Sequence, residues 1–193
     1  MSRQRNPCRN RHLRQEAPPF PDSLLAVKER FGRWDDALDS TAETLPELIK
    51  PGGLAVKKSA QIIATLRKIR DDFGACDLGP LNGATEPDAE AYLVSLPGVS
   101  LKVAKCVMMY TLGAKVLPVD AHVHRVAERL GWTQRKRADQ CHEELEALVP
   151  RERRHAFHVD CIAHGRAVCR AKRPLCDRCP VNQHCVYYER TAK

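Results

Sequence analysis

The chain has 193 residues and a mass of 21.7 kDa, enough to bury a hydrophobic core without disulfide support. It carries 32 Lys and Arg against 24 Asp and Glu, a formal net charge of +8. That charge favours a polyanionic partner such as nucleic acid, although it also fits an ordinary basic protein. No stretch approaches the roughly 20 apolar residues of a membrane span, and no apolar segment follows the basic N-terminus, so we expect a cytosolic protein.

The predicted elements are helices preceded by an irregular arm. Residues 1–22 combine five arginines with a run of prolines and show no periodicity, which predicts a basic, poorly ordered arm. Apolar residues at three- and four-residue spacing then predict helices. They are expected to start at residue 23, around 45–49, over 55–73, over 88–96, from 100 to 112, and over 121–130, 138–148 and 154–168. Because no segment alternates as strands do, the predicted fold class is all-α.

A tight hairpin is predicted between the helices on either side of the segment LPGVSLKVAKCV, which starts at Leu96. The bend contains Pro97, Gly98, Val99 and Ser100, and backbone N–H groups open the helix that follows. Amides at a helix start attract anions, so these four residues are candidates for contact with a DNA phosphate. Such a turn alone is weak evidence, since most of them only reverse the chain.

Lys102 follows the hairpin, and Asp120 precedes the next helix in the segment VDAHVHRV. A deprotonated lysine amine attacks the C1′ atom of a sugar and forms a Schiff base, from which the 3′ phosphate is eliminated. A nearby carboxylate helps to deprotonate the amine and stabilises a cationic sugar. The alternatives are that Asp120 only caps its helix and that Lys102 is only a solvated lysine.

Four of the nine cysteines lie within the last 25 residues: Cys169, Cys176, Cys179 and Cys185. Four thiolates this close together bind either tetrahedral zinc or an iron–sulfur cluster, and spacing alone leaves both open. The single CxxC pair favours the cluster. The basic residues of this region, Arg166, Arg170, Lys172, Arg173 and Arg178, suggest a metal-shaped loop that contacts phosphates. The other five cysteines are expected to be small buried hydrophobes.

Together, LPGVSLKVAKCV, LPVDAHVHRVAERLG and HGRAVC with the cysteine set resemble the endonuclease III family of helix-hairpin-helix DNA glycosylases, over about residues 23–188. The resemblance implies that Lys102 and Asp120 are the catalytic lysine and aspartate. It also implies that the four cysteines hold a [4Fe-4S] cluster. The implied fold is a helical barrel lobe, residues 23–134, beside a cluster-bearing lobe, residues 135–193.

The activity that this resemblance implies is base-excision repair by a bifunctional glycosylase and abasic-site lyase. The sister branch that removes adenine opposite oxidised guanine lacks this lysine, so Lys102 favours removal of oxidised pyrimidines. Thymine or uracil mismatches remain alternative substrates. The expected partner is damaged or abasic duplex DNA, bound by a monomer in a bacterial or archaeal cytosol, associated with the nucleoid.

Two departures from the family pattern have consequences. Ser100 stands where the hairpin usually has a second glycine, a mild change that leaves the amide able to meet a phosphate. Residues 1–22 do not match the two helices and glutamine-containing loop that fill the gap left by the extruded base, so the N-terminus looks atypical or truncated. Losing that loop would weaken retention of the flipped nucleotide. The alternatives are therefore a DNA-binding protein of this fold with little or no catalysis, and a small zinc-stabilised module.

Overall fold

The computed structural model describes residues 20–38, 44–50 and 54–191, and every regular element in those ranges is a helix. The helices are α1 (Phe20–Phe31), α2 (Trp34–Leu38), α3 (Thr44–Ile49), α4 (Ala55–Phe73), α5 (Glu86–Ser95), α6 (Leu101–Tyr110), α7 (Ala121–Leu130), α8 (His142–Leu148), α9 (Arg154–Ala167) and α10 (Val186–Thr191). The all-α prediction is confirmed. None of these helices combines the length and the apolar character needed to cross a bilayer.

The predicted arm, residues 1–22, falls largely outside the described residues. Only its end is covered, and there the chain is already helical, because α1 begins at Phe20 rather than at Ser23. A proline at position 21 is compatible with this start, since the first turn of a helix does not need the missing N–H group.

The chain divides into two compact units, residues 1–77 and 78–193. In the first unit, the long helix α4 packs against α2 and α3, and α1 packs against α3 and α2. The buried side chains of this core are Val27, Phe31, Ala37, Leu38, Leu45, Ile49 and Leu66. The helix α4 has the predicted bounds, and Gly74 ends it with a φ of 80°, in the left-handed region that glycine adopts without strain.

The second unit contains α5 to α10 and a separate core. Its buried members are Leu117, Val119, Val123, Val126, Ala127, Cys141, Leu145, Val149 and Cys161. The helices α7 and α9 cross closely at Gly165. A methyl group at that position would lie 2.7 Å from Nδ1 of His122, so the absence of a side chain is what permits the approach.

This second core draws on residues from both sides of the boundary predicted after residue 134. That boundary therefore does not separate two cores, and the two functional lobes, residues 23–134 and 135–193, stay a prediction. Two short helices, α2 and α10, were not predicted. The segment predicted as one helix over 138–148 is a 3-10 turn, Ala138–Gln140, followed by α8.

Candidate active site and cysteine cluster

The hairpin between α5 and α6 has the predicted geometry. Gly98 has a φ of 76°, and the amide of Val99 donates to the carbonyl of Leu96 at 3.1 Å, which closes the turn. Pro97, Gly98 and Ser100 are exposed. The turn therefore presents its backbone and the first amides of α6 to solvent, as phosphate contact would require.

Ser100 caps the start of α6. Its backbone is extended, with a φ of −85°, and its hydroxyl accepts the N–H of Val103 at 3.4 Å. Glycine is not needed in this conformation, and serine is a preferred helix cap. The departure from the family hairpin is therefore locally stabilising.

Lys102 lies in the first turn of α6 and is half-buried. Cys106 and Tyr110 follow at positions i+4 and i+8, so the three side chains share one face of the helix. Burial raises the pKa of the Cys106 thiol, while the positive charge of Lys102 acts in the opposite direction. The sequence pattern was interpreted through Lys102 and Asp120 only, although the helical spacing could also have identified Cys106 and Tyr110 as neighbours of Lys102.

Asp120 is the N-cap of α7. Its Oδ1 atom accepts the N–H groups of His122 at 2.9 Å and of Val123 at 2.8 Å. Within the described part of the chain its other carboxylate oxygen, Oδ2, has no hydrogen-bond partner. The capping role is therefore real, and it leaves one oxygen available for chemistry.

The structure brings Lys102 and Asp120 to the same region. The charges of both act on the thiol of Cys106 and on the imidazole of His158. Burial lowers the pKa of His158, so that its ring stays neutral. Tyr110 makes an edge contact with that ring, with centroids 6.0 Å apart. Lys102 and Asp120 themselves form no ion pair in the part of the chain described.

Asp120 ends an extended segment, residues 113–120, whose backbone is held by side chains instead of a neighbouring strand. The carbonyl of Lys115 accepts from Arg154 at 2.7 Å, and the carbonyl of Pro118 accepts from Nδ1 of His158 at 2.9 Å. Burying an extended segment requires such partners for its polar groups. The position of Asp120 is thus set by the helices α8 and α9.

The four predicted cysteine ligands line a single pocket. Cys169 follows α9, Cys176 begins a 3-10 turn, Cys179 ends that turn, and Cys185 directly precedes α10. The pocket has about 380 Å³ of empty space, counted together with solvent at its mouth. Burial raises the pKa of the Cys176 thiol, and the other three thiols nearby raise it further, against the lowering effect of Arg129.

The arrangement of the pocket's side chains is not that of a single-ion site. In the described ranges no three His, Cys, Asp or Glu side chains are arranged around a point where a single metal ion would bind. The four thiols instead enclose a space with apolar walls, which include Val126, Leu130, Val168 and Val181. Soft thiolates around such a space suit an iron–sulfur cluster better than tetrahedral zinc.

Arg129 connects α7 to the cysteine loop. Its Nη1 atom donates to Sγ of Cys169 at 3.2 Å and to the carbonyl of Arg170 at 2.9 Å. Its guanidinium also lies 4.5 Å from the centre of the Tyr187 ring. The loop is therefore anchored to the helix that Asp120 caps.

The remaining residues singled out in the sequence fall into two groups. Cys141 and Cys161 are buried core residues as predicted, and burial raises the pKa of the Cys161 thiol to about 12. Cys76 and Cys106 are only partly buried, so the prediction of buried thiols is wrong for these two. Cys8 lies outside the described residues. The five basic residues predicted to contact phosphate, Arg166, Arg170, Lys172, Arg173 and Arg178, are all exposed.

Comparisons with known proteins agree on the family. Residues 23–151 match the HhH-GPD superfamily base excision DNA repair protein model, and residues 169–185 match the iron-sulfur binding domain of endonuclease III. The chain is 31% identical to endonuclease III of Thermotoga maritima over 151 residues, which are 78% of this chain and 67% of that protein.

Two solved structures have the same fold. The structure of a non-covalent endonuclease III–DNA complex matches with a TM-score of 0.73 and 28% identity, over 89% of this chain and 77% of the other. The structure of a trapped endonuclease III–DNA covalent intermediate matches with a TM-score of 0.74 and 26% identity, over 89% and 76%.

Proposed function

Because this chain belongs to the HhH-GPD superfamily of base excision DNA repair proteins, and within it to the endonuclease III family, we propose that it is a bifunctional DNA glycosylase and abasic-site lyase. Its substrates would be oxidised pyrimidines in duplex DNA, bound by a monomer in the bacterial or archaeal cytosol, at the nucleoid. The observation that supports this most directly is that Asp120 caps α7 through Oδ1 alone, so that Oδ2 has no hydrogen-bond partner in the described residues. Lys102 lies half-buried in the first turn of α6, and its charge acts on the same two side chains, Cys106 and His158, as that of Asp120. An amine and a carboxylate in one region are what base displacement with strand cleavage requires.

In the proposed reaction the neutral Nζ atom of Lys102 attacks C1′ of the extruded nucleotide. The bond from C1′ to the base breaks, and the base leaves with the electron pair and takes up a proton. The sugar ring then opens to give a protonated imine. Loss of a proton from C2′ breaks the C3′–O bond and releases the 3′ phosphate, after which water hydrolyses the imine and frees the amine.

Asp120 serves both fold and chemistry in this proposal. Oδ1 stays bonded to the first amides of α7, while Oδ2 accepts the proton from the Lys102 ammonium and stabilises positive charge on the sugar. His158 is held neutral by burial and adds no competing cation beside the developing charge.

DNA binding is assigned to two surfaces. The hairpin residues Pro97, Gly98, Val99 and Ser100 would contact a phosphate, with the backbone N–H groups of Gly98 and Ser100 as donors, because Pro97 has no N–H and that of Val99 bonds to Leu96. The exposed arginines and lysine around the cysteine loop would hold further phosphates. The protein carries a [4Fe-4S] cluster, as its iron-sulfur domain match indicates.

We assign the cluster to Cys169, Cys176, Cys179 and Cys185, which line one pocket. When bound, the cluster would hold the surrounding loop in shape by cross-linking thiolates that are distant in sequence. The reaction itself is carried by the protein's own side chains.

The proposal is tested by incubating the iron-loaded protein with duplexes that contain thymine glycol, uracil or an abasic site. We expect release of thymine glycol and strand cleavage at the abasic site by the wild type. Lys102→Gln should abolish cleavage, whereas Lys136→Gln, which removes an exposed lysine of the same unit, should not. Duplex binding without base release or cleavage by the wild type would refute the proposal and would favour a non-catalytic DNA-binding protein.

A further inference from the structure

A buried lysine lies one turn after Lys102 on α6. The side chain of Lys105 is 6% exposed, and its Nζ atom lies 2.7 Å from Oε1 of Glu146 and 3.4 Å from Oε2 of Glu90. An ammonium removed from water needs an opposite charge and hydrogen bonds close by. Lys105 therefore holds the carboxylate of Glu146 against α6.

The same oxygen of Glu146 also holds the segment that leads to Asp120. Oε1 accepts the N–H of Leu117 at 2.7 Å. Leu117 is fully buried and lies three residues before Asp120, while Lys105 lies three residues after Lys102. Oε1 of Glu146 thus links α6, which carries Lys102, to the segment 113–120, which ends at Asp120.

Other side chains hold that segment without reaching α6. Arg154 donates to the carbonyls of Lys115 and Glu146, and Nδ1 of His142 bonds to the carbonyl of Leu117 at 3.2 Å. Within the described ranges, Glu146 alone is hydrogen-bonded to both α6 and residues 113–120. A backbone bond from the amide of Ala114 to the carbonyl of Met108, 2.9 Å, also joins the two elements, but only where α6 ends. Removing Glu146 would leave the Leu117 part of the segment without a hydrogen bond toward α6.

We propose that Glu146 is a positioning residue, which fixes the spacing between the Lys102 amine and the Asp120 carboxylate through Lys105 and Leu117. The inference rests on the proposed lyase function, because the spacing serves that reaction. A displacement of about 1 Å between reacting groups lowers a rate about 10²-fold even when the fold is intact. Buried ion pairs contribute little net stability compared with apolar side chains of similar size. Positioning of Lys102 and Asp120 is therefore a better explanation of the Lys105–Glu146 pair than stability.

The test compares three variants with the wild type in the iron-loaded protein. The double variant Lys105→Met/Glu146→Leu removes both buried charges and leaves the Leu117 amide without its acceptor. Glu146→Gln keeps an acceptor oxygen at the same place. Glu90→Gln is the matched control, because Glu90 contacts the same lysine but makes no bond to residues 113–120.

Single-turnover cleavage of an abasic duplex is measured well below the melting temperature, together with KM. We expect the double variant to react at least tenfold more slowly at saturating DNA, with KM unchanged. Glu146→Gln should stay within threefold of the wild type, and Glu90→Gln should match it. If Glu146 served stability alone, the double variant would cleave at the wild-type rate below its melting temperature. A double-variant rate within twofold of the wild-type rate would therefore overturn the inference.

Amide hydrogen exchange in the DNA-free protein supplies a readout that does not depend on turnover. In the double variant, residues 113–119 and 101–107 should both exchange faster than in the Glu90→Gln control. Unchanged protection in either segment would overturn the inference. If the wild type itself does not cleave, the proposed function fails, and the exchange result alone then decides whether Glu146 links the two elements.

Discussion

Asp120 has a structural role and a proposed chemical role, and two substitutions separate them. Asp120→Asn keeps a side-chain oxygen where Oδ1 accepts the amides of His122 and Val123, but it removes the charge. Asp120→Ala removes both. Asparagine and aspartate are about equally good helix caps, so only the charge distinguishes the first variant from the wild type.

The expected effects on stability follow from these contacts. Losing the cap in Asp120→Ala costs about 1 kcal/mol, and losing a negative charge at a helix N-terminus costs about 0.3–1 kcal/mol. The total of about 1–2 kcal/mol corresponds to a fall in melting temperature of roughly 2–8 °C for a chain of this length. Asp120→Asn loses only the charge and should melt no more than about 4 °C below the wild type.

The expected effects on catalysis are larger and nearly equal for the two variants. Removing a positioned proton acceptor slows a reaction by about 10²–10⁴-fold. Thermal unfolding followed by circular dichroism measures the melting temperatures, and single-turnover release of thymine glycol measures the catalytic rates. Asp120→Asn should thus be nearly as stable as the wild type and nearly as inactive as Asp120→Ala. An Asp120→Asn protein with wild-type turnover would show that Asp120 is only a helix cap.

Three further outcomes are expected from other parts of the second unit. Gly165→Ala should destabilise the protein by about 1–3 kcal/mol, because the added methyl group would lie 2.7 Å from Nδ1 of His122 on α7. Urea unfolding measures this effect, and an unchanged unfolding midpoint would contradict the close packing of α7 and α9. Burial lowers the pKa of His142 and of His158 below the ordinary 6.5, so their contribution to stability is present above pH 6.5 and is lost as the pH falls below it. Unfolding curves between pH 7.5 and about 5 check this sign, and a rise in stability toward acid would contradict it. Cys176→Ser should lower the iron content and visible absorbance of the purified protein, while Cys161→Ala should keep both; equal iron in the two variants would refute the assignment of the pocket.

The fold was predictable where a local pattern determines it. The apolar spacing in 55–73 gives the bounds of α4, and Asp120 marks the start of α7 because a capping side chain satisfies amides that the helix leaves unpaired. The helices α2 and α10 are too short to display a period and are stabilised by their surroundings. Local sequence therefore identified the long helices and the short α3, and missed α2 and α10.

The site was predictable only in part, because the sequence identifies residues that lie in short contiguous motifs and not contacts between distant segments. The hairpin, Lys102 and the cysteine set lie in short contiguous motifs. Glu146 lies 41 residues from Lys105 and 29 from Leu117, and nothing in the sequence marks it as different from other glutamates of α8. Only the tertiary structure shows which carboxylate is buried between α6 and the extended segment.

In the proposed mechanism the amine of Lys102 becomes covalently bound to deoxyribose during the reaction. Borohydride reduction during incubation with an abasic duplex, followed by peptide mapping of the adduct, tests it directly. We expect one stable protein–DNA adduct attached at Lys102, absent in Lys102→Ala and present in Lys136→Gln. An adduct at another residue, or cleavage by Lys102→Ala at the wild-type rate, would contradict it.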